Sequence, residues 1–97
     1  MPTYIVLGNF TDQGIKTIKD TPKRVDTVKD LCGKAGVTMT HVYWTLGTYD
    51  IVGIFEAPDE ASITALGLSI GQMGNVRTQT LRAFSADDMK GILAKVT

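Results

Sequence analysis

Cysteine occurs once in this chain, at Cys32, and histidine once, at His41. One cysteine excludes an intramolecular disulfide and a cysteine-rich metal cluster, and one histidine excludes a multi-histidine metal site. No metal and no cofactor are therefore expected. Charge of either sign is also not in excess, because ten lysines and arginines balance ten aspartates and glutamates. Proteins that hold nucleic acid carry a cationic surplus, since phosphate contacts dominate their affinity, so no nucleic-acid partner is expected. The same neutrality leaves little repulsion between copies. No apolar run approaches the roughly 20 residues of a bilayer span. The opening "MPTYIVLGNF" has neither the basic nor the long apolar region of a signal peptide. A protein with no membrane partner, in the cytoplasm, is the expectation. A Walker A loop and a G-x-G-x-x-G turn are missing too, which removes two phosphate-binding devices. No serine stands in the strand-to-helix setting of a nucleophile elbow.

What is present is an ordinary folded composition, 43% hydrophobic and 21% charged over 97 residues. That length suits one domain, residues 1–97, with a thin stability margin that self-association would widen. "TYIVLGNF" (3–10) is a strand by its β-branched and aromatic content. A short helix follows "TDQG", and a second is expected from Pro22 to Lys34 with Thr21 as its cap. Ile15, Ile18, Val25, Val28 and Cys32 form an apolar stripe across the two, interrupted at Pro22. Asp12/Lys16, Asp20/Arg24 and Asp30/Lys34 are spaced for i,i+4 pairs on the solvated side. "VTMTHVYWTL" (37–46) and "DIVGIFEA" (50–57) read as a hairpin. Residues 58–74 form a helix with Ile63, Leu66, Ile70 and Met73 on one side and Gly74 as its C′ residue. "NVRTQTLRAF" (75–84) is a fourth strand. Ser85 and Asp88 make a capping box for a last helix, whose apolar face is Met89, Ile92, Leu93 and Val96. The order βαββαβ plus a terminal helix is the α+β, ferredoxin-like plan, with a four-stranded antiparallel sheet and helices on one face.

The helix-free face of such a sheet meets water in a monomer, and its strands should alternate apolar with polar. These do not. In the first strand Tyr4, Val6 and Phe10 share one side and Ile5 and Leu7 the other. In the third, Ile51 and Phe55 oppose Val52 and Ile54. Both central strands are apolar on both faces, so something covers the second face. A second copy packed sheet to sheet would make a dimeric α+β barrel, and the terminal helix folded across the face is the alternative. Tyr4, Val6, Phe10, Trp44, Ile51 and Phe55 are the candidate interface residues.

Candidate ligand-binding residues cluster at strand ends. Asn9 closes the first strand and Asp12 follows it, Tyr49 and Asp50 stand at the hairpin mouth, and Arg77 is on the fourth strand. His41 is the remaining titratable candidate. Carboxylate, phenol and guanidinium groups can build an acid–base or anion site, and they can equally make turn bonds and ion pairs. Catalytic residues stay unassigned.

The blocks "YIVLGNFTDQGI", "D-TPKR" (Asp20 to Arg24), "LGTYDIV" (Leu46 to Val52), "EAPDE" (Glu56 to Glu60) and "GNVRTQTLRAF" (Gly74 to Phe84) together resemble the GYD domain family. The resemblance covers nearly the whole chain and keeps Gly47, Tyr49 and Asp50 of the eponymous motif. It implies a ferredoxin-like fold of the dimeric α+β barrel type and carries over no catalytic residue. The expected function is an oligomeric small-molecule-binding or regulatory module, with a homo-oligomer and a possible small ligand as partners. The rivals are a cofactor-independent small enzyme (an oxygenase or isomerase) with a cleft between sheet and helices, and a purely structural assembly protein.

Overall fold

The computed structural model describes residues 1–97. The chain runs β1 (Thr3–Phe10), α1 (Asp12–Lys16), a 3₁₀ turn (Ile18–Asp20), α2 (Thr21–Ala35), β2 (Thr38–Trp44), β3 (Ile51–Glu56), α3 (Glu60–Gln72), β4 (Val76–Ala83) and α4 (Ala86–Leu93). The sheet is antiparallel in the order β2-β3-β1-β4, so β1 and β3 are central. This is the ferredoxin-like plan read from the sequence.

Local chemistry sets the boundaries. Thr11 caps α1 by accepting from the Gly14 amide, and Asp59 caps α3 by accepting from the Ser62 amide. Both halves of the Ser85–Asp88 capping box form at α4. Helix α2 starts at Thr21 itself, with Asp20 as its cap residue. It runs through Gly33 and stops at Gly36, whose φ of 70° is the left-handed conformation a helix end favours.

One layer of helices packs on one face of the sheet. Ile63, Leu66 and Ile70 of α3 and Cys32 of α2 meet Tyr4, Val6 and Phe55, and these residues are the centre of the core. That corrects three of the candidate interface residues. Tyr4, Val6 and Phe55 are 3%, 8% and 3% exposed in a single chain, so they have no surface left for a partner. Phe10 and Ile51 share their strand side and are half-buried. β2 carries a bulge between Met39 and His41, and Thr40, the extra residue, donates its hydroxyl to the Ile54 carbonyl. The bulge breaks the simple alternation. Met39 and Val42 line the helix side, whereas His41 and Tyr43 stack on each other with centroids 6.0 Å apart.

The opposite face is bare. Across it run two rows, Tyr43–Val52–Leu7–Gln79 and His41–Ile54–Ile5–Leu81. Ile5, Leu7, Val52 and Ile54 are half-buried by their neighbours alone, and Tyr43 and Leu81 are exposed. The terminal helix does not fold across them. No residue of α4 is buried, and Met89, Ile92, Leu93 and Val96 all stand exposed. The radius of gyration is 14.6 Å, against about 12.5 Å for a closed-up chain of this length.

Candidate functional site

The connector from β2 to β3 holds "LGTYD". Gly47 adopts φ 99°, which a side chain would resist. The Thr45 hydroxyl donates to the Tyr49 carbonyl at 2.6 Å, and the Thr45 amide donates to the Asp50 carbonyl at 2.9 Å. The Asp50 amide donates to Gly8 at 2.9 Å, and its carboxylate Oδ2 accepts from the Phe10 amide at 2.9 Å. Asp50 thus clamps the hairpin mouth to the last turn of β1. The Tyr49 hydroxyl goes the other way, donating to Gln79 Oε1 of β4 at 3.1 Å. Since β1 lies between β3 and β4, the phenol spans β1.

The end of β1 is cross-braced by three more segments. The Thr11 amide donates to the Asn75 carbonyl at 3.1 Å, and the Thr11 hydroxyl donates to the Gly74 carbonyl. Gln13 Nε2 donates to Asn75 Oδ1 at 2.9 Å and to the Met73 carbonyl at 3.1 Å. Gly14 presses so closely on this strand entry that a Cβ there would stand 2.0 Å from the Asn75 carbonyl oxygen. From α2, Arg24 Nη2 donates to the carbonyls of Gly14 and Thr17 and to the Thr17 hydroxyl. The blocks around Thr11, Arg24, Asp50 and Asn75, far apart in sequence, therefore meet at one end of the sheet.

Of the sequence candidates, Asn9 and Arg77 are register partners on the open side of β1 and β4, close to the strand that Tyr49 crosses. Asp50 is turned to Phe10 instead. Asp12 is exposed on α1. His41 lies apart from them on the edge strand, exposed, with Nδ1 3.2 Å from the Thr40 hydroxyl. Trp44 is 46% exposed and donates from Nε1 to the Thr21 hydroxyl at 3.1 Å. It walls an open hollow with Phe10, Ile15, Ile18 and Pro22. Ile15 stands on this surface, 54% exposed, and not on a buried stripe.

Arg24 is the residue whose place the sequence conceals. Its spacing suggests an exposed pair with Asp20, yet the chain's ion pair is Lys90–Asp87 at 3.4 Å, and none of the three expected pairs forms. Arg24 turns instead to the carbonyls of Gly14 in α1 and of Thr17, between α1 and the 3₁₀ turn, which lie within its reach. Its membership of the "TPKR" block is the one sequence signal that marks it. Cys32 is buried, and burial pushes its thiol up in pKa, so it stays protonated and unreactive. "GLSIG" spells G-x-S-x-G, but Ser69 is inside α3 and donates to the Ala65 carbonyl at 2.9 Å, so it makes no elbow.

A family model described as the GYD domain matches residues 4–93. The chain belongs to the GYD domain family. A GYD-length relative from Thermus thermophilus, named glutamine synthetase and cystathionine beta-lyase binding protein, is 38% identical over 90 residues, spanning 92% of this chain and 95% of the relative. Among solved structures, a Thermus thermophilus protein is 25% identical with a TM-score of 0.57, covering 89% of this chain and 96% of its own. FFRP-DM1 superposes with a TM-score of 0.62 at 15% identity, over 87% of this chain and 100% of its own. The Mycobacterium tuberculosis leucine response regulatory protein gives 0.62 at 19% identity over 89% of this chain, which spans about half (54%) of that protein. The last two establish the ferredoxin-like fold of the GYD domain and nothing further. No helix is long and apolar enough to cross a membrane.

Proposed function

We propose that this GYD protein is a cytoplasmic, oligomeric regulatory module that works by docking on an enzyme of amino-acid metabolism. The observation that carries this is the relative named for binding glutamine synthetase and cystathionine beta-lyase, which matches 92% of the chain at 38% identity. The arrangement at the end of β1 supports it. Asp50, the carboxylate of the GYD motif, accepts a backbone amide there and so has a bracing role. The bare face supports the self-association. Two copies joined over Ile5, Leu7, Val52 and Ile54 would cover it and make a dimeric α+β barrel. The half-exposed Trp44 beside Ile15 and Pro22 is the anchor suited to a protein partner, as buried aromatics dominate interface energetics.

The test is titration of the purified protein into glutamine synthetase and into cystathionine beta-lyase from the same cell, by calorimetry, with subunit mass measured alongside. Saturable binding to one of them by an oligomer is expected, weakened at least about tenfold by Trp44→Ala. A folded chain that binds neither enzyme overturns the reading.

A further inference from the structure

The open hollow beside the hairpin mouth has apolar walls, two threonines and one charge. It holds about 360 Å³ of free space, at the lower end of the roughly 300–1,000 Å³ of ligand clefts. Phe10 and Trp44 come from the ends of β1 and β2, and Ile15, Ile18 and Pro22 from the three helical segments that follow β1. Asp50 is the charge, and its two oxygens differ. Oδ2 accepts from the Phe10 amide at 2.9 Å, whereas Oδ1 accepts nothing from the chain. The one buried side-chain polar atom without a partner is Arg24 Nη1, so Asp50 Oδ1 is open to solvent although the residue is half-buried. No lysine or arginine lines the hollow, and the chain's ion pair is elsewhere, at Lys90–Asp87. Trp44 is pinned by the bond from Nε1 to the Thr21 hydroxyl at 3.1 Å, while 46% of the residue stays exposed. An aromatic ring attracts a cation over its face, and a carboxylate pairs with one. A guanidinium suits both, since it is flat, stacks on aromatic rings and is less strongly hydrated than an ammonium.

We infer that the hollow receives an arginine side chain of the partner enzyme, its guanidinium stacked on Trp44 and donating to Asp50 Oδ1. The methylene stem of that arginine lies against Ile15, Ile18 and Pro22. Asp50 turns away an acidic group, and a purely apolar side chain would leave Oδ1 desolvated and unpaired. The source of the arginine rests on the docking reading, while the chemistry of the hollow is tested without an enzyme.

The experiment is a titration of N-acetyl-arginine methylamide into the full-length, isotope-labelled protein, followed by amide and indole NMR. Saturable shifts at the Trp44 indole N–H, Phe10, Ile15 and Ile18 are expected. The citrulline analogue, of the same shape without the charge, binds at least about tenfold more weakly. The lysine analogue, charged but not flat, also binds more weakly. In Asp50→Asn, which keeps an oxygen for the Phe10 amide, the arginine and citrulline analogues bind alike in a folded spectrum. The proposal is overturned if the arginine analogue gives no saturable shift at the hollow of the folded wild-type protein, or if either comparison compound binds as tightly. With an enzyme that docks, Asp50→Asn should weaken binding at least about tenfold, and unchanged docking overturns the arginine while leaving the docking reading intact. Docking on neither enzyme overturns that reading, and charge-selective shifts with the small probes would still show the hollow to be an arginine site.

Discussion

The end of β1 and the open face of the sheet are built on opposite terms. At the end of β1, small polar residues from four segments satisfy one another: Thr11 with Gly74 and Asn75, Gln13 with Asn75, Asp50 with Phe10, Arg24 with Gly14 and Thr17. On the open face, apolar residues from all four strands stand with nothing over them. The family's motif letters gather at the first region, where the chain holds itself together. The second region stands uncovered in a single chain. The GYD motif here marks a place where the chain braces itself.

The largest effect is expected where the bracing is tightest. Gly14→Ala would put a Cβ into the Asn75 carbonyl and should destabilise by on the order of 3 kcal/mol or more, since backbone cannot swing aside as a side chain can. Gly33→Ala, with nothing within 4 Å of the added Cβ inside α2, should raise stability by about 0.5–1 kcal/mol. Thermal or urea unfolding of the two variants checks both, and equal effects would dissolve the contrast. The open face comes next. Leu7→Asp with Ile54→Asp buries two charges per copy in a sheet-to-sheet interface and should raise the dimer dissociation constant at least about a hundredfold. Sedimentation measures it. A wild-type chain that sediments as a monomer at high concentration would mean that the face is simply tolerated.

Periodicity reveals the elements because each buries one side. Ile63, Leu66 and Ile70 show α3, and alternation shows β1 and β3. Which side of β1 meets the helices is not legible in that way, since Tyr4 and Val6 are no more apolar than Ile5 and Leu7. The decision comes from packing, in which the Tyr4 ring and Phe55 fit under α3. The bulge at Thr40 is likewise silent in the alternation it interrupts. At the candidate site, Asp50 is visible as a turn carboxylate, but its acceptor role toward Phe10, 40 residues away, depends on topology. Arg24 is hidden because helical spacing offers it Asp20, an exposed pair worth little, while the fold offers it the carbonyls of Gly14 and Thr17.

A smaller effect separates the two neighbours in the GYD motif. Asp50→Asn weakens a charge-assisted bond to the half-buried Phe10 amide and should cost about 1–2 kcal/mol. Tyr49→Phe removes the exposed phenol–Gln79 bond and should cost about 0.5 kcal/mol or less in unfolding free energy. If Tyr49→Phe proves the costlier, the phenol and not the carboxylate is the clamp.

The smallest effect belongs to α4, and it tests whether that helix is held by anything besides its own cap. The Asp88 carboxylate is kept below the usual aspartate range, first by the hydrogen bond it accepts from the Ser85 amide. Asp59 at α3 is lowered by its bonds from Ser62. A carboxylate whose folded pKa is depressed stabilises the fold above the unfolded value of about 3.9, and that contribution is lost as pH falls through the folded pKa. Both caps should therefore weaken only below about pH 4. Helix α3 has Ile63, Leu66 and Ile70 in the core to hold it, so cap loss there should leave its amides protected. Helix α4 buries nothing in one chain, so its amide exchange should rise as Asp88 protonates, and Asp88→Asn should raise it already at neutral pH. If the exchange of α4 stays slow in acid at dimer concentrations and quickens on dilution, a second copy holds the helix. The arm would then belong with the open sheet face as surface awaiting a partner.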